Sequence, residues 1–438
     1  MGEQLLPESL KGEAMIALRQ TGDKPTTTHP DRKRSALSTV PGSDEDAVLG
    51  RLLSDIDALA PMIARLAPDI ERGRRLPQEL VSALKLARTF SMVVPRRYGG
   101  LGLASPDALR AVTALSRHDG SVGWNVMIGH VASLLPFLVS EAFCERIFQD
   151  GEDHVIAASG QPAGTAERVP GGWRVTGSWP FASGCQNAEW IGGACVMMEG
   201  GSPIADPHAP GPMTRHCLLP SSEWQILDTW HVFGLKGTGS HHVALTGAFV
   251  PDVNFIQFPF GDSFARDRIF SRFPETVMLC HGAFAVGVDE GAISDLVVVA
   301  KTGIKQMFMA TPLAETERFK EGLGRLDAEL KAARALLEAE VVRVWDNADG
   351  KELPPRGGAS ADGGLGHLGV CSRRRGLRRT RGKQGGVRKL VVAAKAARSS
   401  GRLDARSRTS AALRIGGRCG ALACRIVADR GQRESGYS

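Results

Sequence analysis

Apolar and polar positions divide the chain into five stretches. Residues 1–45 are rich in Thr, Pro, Asp and Lys and hold few bulky apolar side chains, so they read as a disordered leader. From residue 46 the spacing becomes helical: Leu52, Ile56, Leu59, Ile63 and Leu66 recur every three or four positions. Pro77 opens a second predicted helix, Gln78 to Phe90, and the Gly pair at 99–100 marks a turn. Residues 105–118 and 121–150 continue the helical spacing, with Ser105 and Pro106 as cap and first-turn proline. An N-terminal helical domain over 46–153 follows.

From His154 the pattern changes to short β-branched or aromatic runs punctuated by Gly, Pro and Ser: Val155–Ser159, Trp173–Trp179, Trp190–Met197, His216–Leu219, Trp224–Thr229 and Val243–Val250. Gly171-Gly172-Trp173 has the composition of a hairpin turn. Residues 154–255 are expected to form a middle antiparallel β barrel or sandwich. Helical spacing returns over 256–354. A long apolar helix covers 276–304, and a Glu/Lys/Arg-rich amphipathic helix runs from Leu313 to Trp345. The class is α+β: helices, a β domain, then a partial helical domain.

Residues 355–438 break the pattern. They show neither helical nor alternating periodicity, and Tyr437 is their one aromatic. Over residues 351–438 there are 21 basic and 5 acidic side chains, against 33 and 42 in the preceding 350. The net charge of +7 therefore hides an acidic body and a basic end. Arg, Gly, Ser and Ala dominate without a repeat, as in a GC-rich coding sequence read out of frame. The native frame is expected to end near Pro354–Gly357. The plainer alternative is a disordered basic tail that binds nucleic-acid phosphates, and no such partner is expected.

Composition adds exclusions. Hydrophobic residues are 42% and charged residues 23%, ordinary for a globular chain. No apolar run is expected to be long enough for a membrane span, and the acidic residues in the first fifteen argue against a secretory signal. Eight scattered cysteines without a CxxC pair fit a reduced, cytoplasmic compartment and no zinc ribbon. His241-His242 lacks a third ligand, so no metal site is expected.

Five local stretches carry a resemblance: VPRRYGGLGL at 94–103, SRHDGSVGWNVMIGH at 116–130, VIAASGQPAG at 155–164, GGWRVTGSWPFASGCQNAEWIGG at 171–193 and DTWHVFGLKGTGSHHVALTGAFVP at 228–251. With the helix–β–helix order, they resemble the acyl-CoA dehydrogenase superfamily, and within it the flavin-dependent, two-component aromatic monooxygenases. The resemblance covers roughly 46–350. The run Trp179-Pro180-Phe181-Ala182-Ser183-Gly184 stands where a dehydrogenase of this fold shows a Trp-Ile-Thr-Asn type sequence, and it looks like the hydroxylase branch.

The resemblance implies a flavin-dependent oxidoreductase. It would use reduced flavin (FMN or FAD) supplied by a separate NAD(P)H:flavin reductase, together with O2, to hydroxylate an aromatic or phenolic substrate. It also implies a homotetramer built through the C-terminal helices. The alternatives are an acyl-CoA dehydrogenase, for which no catalytic carboxylate is marked by a motif, and an inactive frameshifted product.

By the same resemblance Ser159, Gln161, Phe181 and Ser183 would flank the flavin, with Ser159 also close to the reacting atoms. Read alone, the two serines are strand ends that bond locally. His130 lies in an apolar helix, where a lone His is more often a core residue; the resemblance makes it the group that binds or deprotonates a phenol. Trp124, Asn125, Thr238 and His241 are substrate-binding candidates, though Trp124 and Asn125 also suit plain helix packing. The family's second His, in an Arg-Asp-x-His segment, has no counterpart in this chain.

Overall fold

The computed structural model describes residues 43–207, 210–256, 273–306 and 310–348. The leader up to residue 42 and the tail from residue 349 lie outside the described residues, and with them the expectations placed on the tail. Five helices come first: α1 (Ser43–Gly73), α2 (Gln78–Leu86), α3 (Ser105–His118), α4 (Gly120–Ala132) and α5 (Glu141–Phe148). Asp44, Glu45 and Asp46 in the first turn of α1 face the positive end of its dipole. Leu52, Ile56, Ile63 and Leu66 are buried as their spacing predicts. Pro77 caps α2, which stops at Leu86 short of the expected Phe90, because Arg88 turns into the left-handed region at φ 59°.

The stretch 121–150 is not one continuous helix. Asp119 starts α4 by accepting the N–H groups of Ser121 (2.7 Å) and Val122 (3.1 Å). Pro136, which lacks an N–H, sits in a single 3-10 turn at Leu135–Leu138. Ser140 then caps α5 through Phe143 N. Gly120–Leu138 is apolar enough over 19 residues to pass for a membrane span, contrary to the expectation that no run would be. It is 83% buried inside the protein, so its apolarity is that of a core helix.

The eight strands form one sheet in the order β6-β7-β2-β1-β3-β5-β8, with β4 paired to β3. They are β1 (Ile156–Val169), β2 (Gly172–Trp179), β3 (Trp190–Glu199), β4 (Ser202–Pro203), β5 (Thr214–Pro220), β6 (Gln225–Leu227), β7 (His242–Pro251) and β8 (Phe255–Ile256). The hairpin turn falls at Pro170-Gly171, with Val169 opposite Gly172. The sheet is mixed rather than wholly antiparallel, because β1 and β3 run parallel. After β2 the chain crosses at 180–189 to the other side of β1, and Trp190 enters beside Ile156. That crossover carries the Pro180–Gly184 run, which meets β1 where Ser159 bonds Pro180 O. Trp179, the last residue of β2, is fully buried. A Cβ on Gly164 would fall 2.0 Å from the Trp179 ring, so only glycine lets β1 pass so close.

Two long helices follow, α6 (Phe273–Lys301) and α7 (Glu317–Asp346). The Thr113 hydroxyl of α3 shares its proton between Leu109 O (3.0 Å) and Ala283 O of α6 (3.2 Å), and Arg334 of α7 pairs with Glu290 of α6. Helices, sheet and helices thus stand in the order the resemblance implies.

Asp153 joins the helical part to the sheet. It is 3% exposed, accepts Phe90 N–H at 3.0 Å, and its Oδ1 has no partner. Burial pushes its carboxyl up to about 6, with the nearby Ser91 hydroxyl, the Phe90 N–H and the charges of Arg88 and Lys85 pulling the other way. The folded protein therefore holds this proton more tightly than the unfolded chain. The associated stability is present below the unfolded value of 3.8 and is lost as pH rises through about 6. Asp153→Asn should gain on the parent in melting temperature between pH 4.5 and pH 8, by the equivalent of roughly 2 kcal/mol. A variant-minus-parent difference that does not change with pH would refute this account.

Candidate active site

The two segments expected to flank a flavin are brought together. Ser159 on β1 donates its hydroxyl proton to Pro180 O at 2.7 Å. Beyond Ser159 the ladder opens: Ser159 pairs with Gly193 and Gly164 with Cys195, so residues 160–163 have no register partner on β3. Gly160, Pro162 and Ala163 are exposed and Gln161 is half-buried, which leaves solvent-facing backbone groups beside Ser159. Across from them Phe181 is 50% exposed and sits at φ 61°, a left-handed conformation unfavourable for a side chain with a Cβ. Its ring meets Trp230 edge-on at 6.2 Å and His242 at 6.3 Å. Two backbone bonds hold the turn, Ala182 N to His241 O (3.0 Å) and Gly184 N to Thr238 O (2.9 Å).

Ser183 belongs to a buried hydroxyl chain. Thr238 Oγ1 donates to Leu235 O at 2.9 Å, because a carbonyl can only accept. Its 2.7 Å contact with Ser240 Oγ must then be an O–H donated by Ser240. The 2.7 Å contact between Ser240 and Ser183 is in turn donated by Ser183. Trp124 Nε1, which can only donate, closes the chain on Ser183 Oγ at 3.0 Å. Both flanking serines therefore have their protons committed to the protein, and what each still offers is a lone pair.

Asn125 Nδ2 donates to Ser121 O (2.9 Å) and Gly237 O (3.0 Å), which ties α4 to the 235–241 loop. Its Oδ1 lies against Gly184, where a Cβ would approach it to 2.8 Å and φ is 77°. Asn125 and Thr238 thus have their protons bonded within the protein.

Three histidines near α4 are fixed in different states. His241 Nδ1 accepts the N–H groups of Thr229 (3.2 Å) and Trp230 (3.3 Å), so the proton sits on Nε2, which is buried without a partner. Burial lowers the tendency of this ring to charge, and nearby Asp228 opposes that. Arg74 holds Asp228 by both oxygens, at 2.5 and 3.1 Å.

His130 is 1% exposed, its Nδ1 has no partner, and burial pushes it down to about 4. At ~100° per residue it stands ~120° around α4 from Trp124, off the face that meets Ser183. The third histidine, His281 on α6, was not marked by sequence reasoning. It packs edge-on to Trp124 at 5.6 Å. Nothing in its spacing singles it out; only the docking of α6 on α4 does.

Among the described residues no group of three or more His, Cys, Asp or Glu is placed to hold a metal ion.

Comparison with known proteins matches two family models: the acyl-CoA dehydrogenase N-terminal domain over residues 57–142 and the acyl-CoA dehydrogenase C-terminal domain over residues 279–362. The FADH(2)-dependent resorcinol hydroxylase, oxygenase component, of Rhizobium sp. (strain MTP-10005) is 30% identical over 254 residues, 56% of this chain and 60% of that protein. The flavin-dependent monooxygenase, oxygenase subunit HsaA, of Mycobacterium tuberculosis (strain CDC 1551 / Oshkosh) is 33% identical over 207 residues, 47% of this chain and 50% of that protein. The matches thus span between half and three-fifths of these relatives' own lengths. Among solved structures, XiaF from Streptomyces sp., in complex with FADH2 and glycerol, superposes with a TM-score of 0.63 at 25% identity, covering 70% of this chain and 77% of that one. Both terminal domain models and these relatives point the same way: the chain is similar at its two ends to acyl-CoA dehydrogenase domains, and the relatives it matches include flavin-dependent monooxygenases.

Proposed function

We propose that the chain is the oxygenase component of a two-component flavin-dependent monooxygenase that hydroxylates an aromatic or phenolic substrate with O2. A separate NAD(P)H:flavin reductase would supply reduced FMN or FAD. One observation carries the reading: Ser159 and Ser183 flank an open, solvent-facing backbone segment and a half-exposed aromatic ring, and both present lone pairs rather than protons. Reduced flavin carries ring N–H groups that the oxidised form lacks, and an acceptor pair suits it.

Ser159, the backbone at Gln161, Phe181 and Ser183 would hold the flavin. When bound, the flavin supplies the activation of O2. The chain's own part is to hold the two edges, to keep water from the buried side, and to place the substrate. Trp124 forms a wall and orients Ser183, while Asn125 and Thr238 fix the loop behind it. His241 offers a fixed Nε2–H donor, and His130 would act on the substrate hydroxyl from the buried side of α4. The exposed Met278, Val298, Leu336 and Val342 on α6 and α7 support assembly as a homotetramer through these helices. A cytoplasmic location is part of the same reading.

Anaerobic titration with reduced and oxidised FMN and FAD tests the core of it. The parent should bind a reduced flavin more tightly than the oxidised one. With a reductase and NADH it should consume O2 and release a hydroxylated product from a phenol. Tighter binding of oxidised flavin, or electron transfer from an acyl-CoA without O2 uptake, would overturn it.

Thr238→Val removes the oxygen that accepts from Ser240, so Ser240 can donate to Ser183 instead and free the Ser183 proton. The preference for reduced over oxidised flavin should fall by about tenfold, the worth of one hydrogen bond reversed. Ser183→Ala should weaken binding of the reduced form. An unchanged ratio in folded Thr238→Val would show that the chain does not set it.

His130→Gln should spare flavin affinity and lower turnover of a phenol at least about tenfold. Its folded pKa lies below the unfolded 6.5, so the parent loses stability as pH falls from about 6.5 towards 4. The variant should lose less over that range in a melting series. Equal acid sensitivity would place the His130 proton elsewhere.

A further inference from the structure

We infer that His281 is a second contact for the substrate hydroxyl, its Nε2 accepting the proton of a phenolic O–H. The inference rests on the oxygenase reading and names a group that reading does not use. His281 lies half-buried on α6, one turn after Val277, and its Nδ1 is 2.8 Å from Val277 O. A carbonyl can only accept, so Nδ1 carries a proton, and the tautomer this selects has its lone pair on Nε2. No hydrogen bond among the described residues uses that lone pair. His281 therefore presents the one property that His241, locked as an Nε2–H donor, cannot offer.

Position adds the second argument. The His281 ring stands edge-on to Trp124 at 5.6 Å and 79°, and Phe284, three residues on, meets the same indole at 5.0 Å and 80°. The same indole donates through Nε1 to Ser183 Oγ at 3.0 Å. One aromatic ring thus separates His281 from the serine proposed to hold the flavin. The neighbours Cys280, Ala283 and Phe284 are buried and apolar, so the surroundings of His281 match an aromatic ring in polarity.

The step is a proton transfer. The phenol O–H bond breaks, the Nε2–H bond forms, and a phenolate and an imidazolium result. Val277 O, already bonded to Nδ1–H, then accepts a charge-assisted hydrogen bond from the imidazolium. Nothing is oxidised or reduced.

The probe is para-nitrophenol, whose phenolate is yellow, added at fixed pH to the protein with reduced flavin under anaerobic conditions. The parent should bind it with a larger phenolate fraction than free solution shows. His281→Gln, which can accept a hydrogen bond but no proton, should keep binding and lose the yellow increment. His281→Phe, which keeps the edge contact with Trp124, should bind about tenfold more weakly. Reduced-flavin affinity should change less than twofold in both, which shows that they are folded. Parent-like affinity and colour in both variants would overturn the proposal. If the parent binds reduced flavin but no nitrophenol, the His281 proposal falls and the flavin reading stands. If it binds neither, the oxygenase reading falls and the proposal with it.

Discussion

The hydroxyl of Thr238 gives its proton to Leu235 O, and that one commitment orders everything within hydrogen-bond reach of it. Buried hydroxyls must be satisfied, and each can donate only once. With the Thr238 proton taken, Ser240 must donate to Thr238, Ser183 must donate to Ser240, and Trp124 can close on Ser183. Helix α4, the crossover at 180–184 and the loop at 235–241 are joined by the same four side chains. The geometry of the site and its polarity are therefore one fact rather than two. A change that loosens the chain at Thr238 reaches Ser183 without touching it.

Elements with local causes were legible in the sequence. The α1 stripe of Leu52, Ile56, Ile63 and Leu66, the Pro77 start of α2, and the α3 span 105–118 all follow from spacing or capping within a few residues. The places where the reading departed were set by distant partners. The parallel pairing of β1 with β3 depends on where the chain goes after Trp179, which no strand-length pattern encodes. The break between α4 and α5 was marked by Pro136, and the apolar density around it masked that signal.

The site was legible in the same uneven way. Ser159, Phe181 and Ser183 came from a motif, and the fold sets the two segments side by side through Ser159 and Pro180. The direction of each hydrogen bond did not come from the motif, since Trp124 reaches Ser183 across 59 positions. His281 carried no sequence signal. Histidine is informative only once its ring nitrogens have partners. Here Val277 O fixes one ring, two backbone N–H groups fix another in the opposite tautomer, and burial alone suppresses charge on His130.

Phe181 shows how rigidly this site is held. A left-handed conformation at a residue with a Cβ costs about 1–2 kcal/mol, and among the described residues glycine holds most of the other such positions. The cost is met by local ties: Ala182 N–H to His241 O, Gly184 N–H to Thr238 O, and edge contacts with Trp230 and His242. Two of these ties end on the loop that carries the hydroxyl chain. The strained turn and the polarised serine therefore share one support. Glycine at 181 would relieve the strain but remove the half-exposed ring. The position keeps an aromatic side chain against its backbone preference because the ring, and where it is held, is what the turn provides.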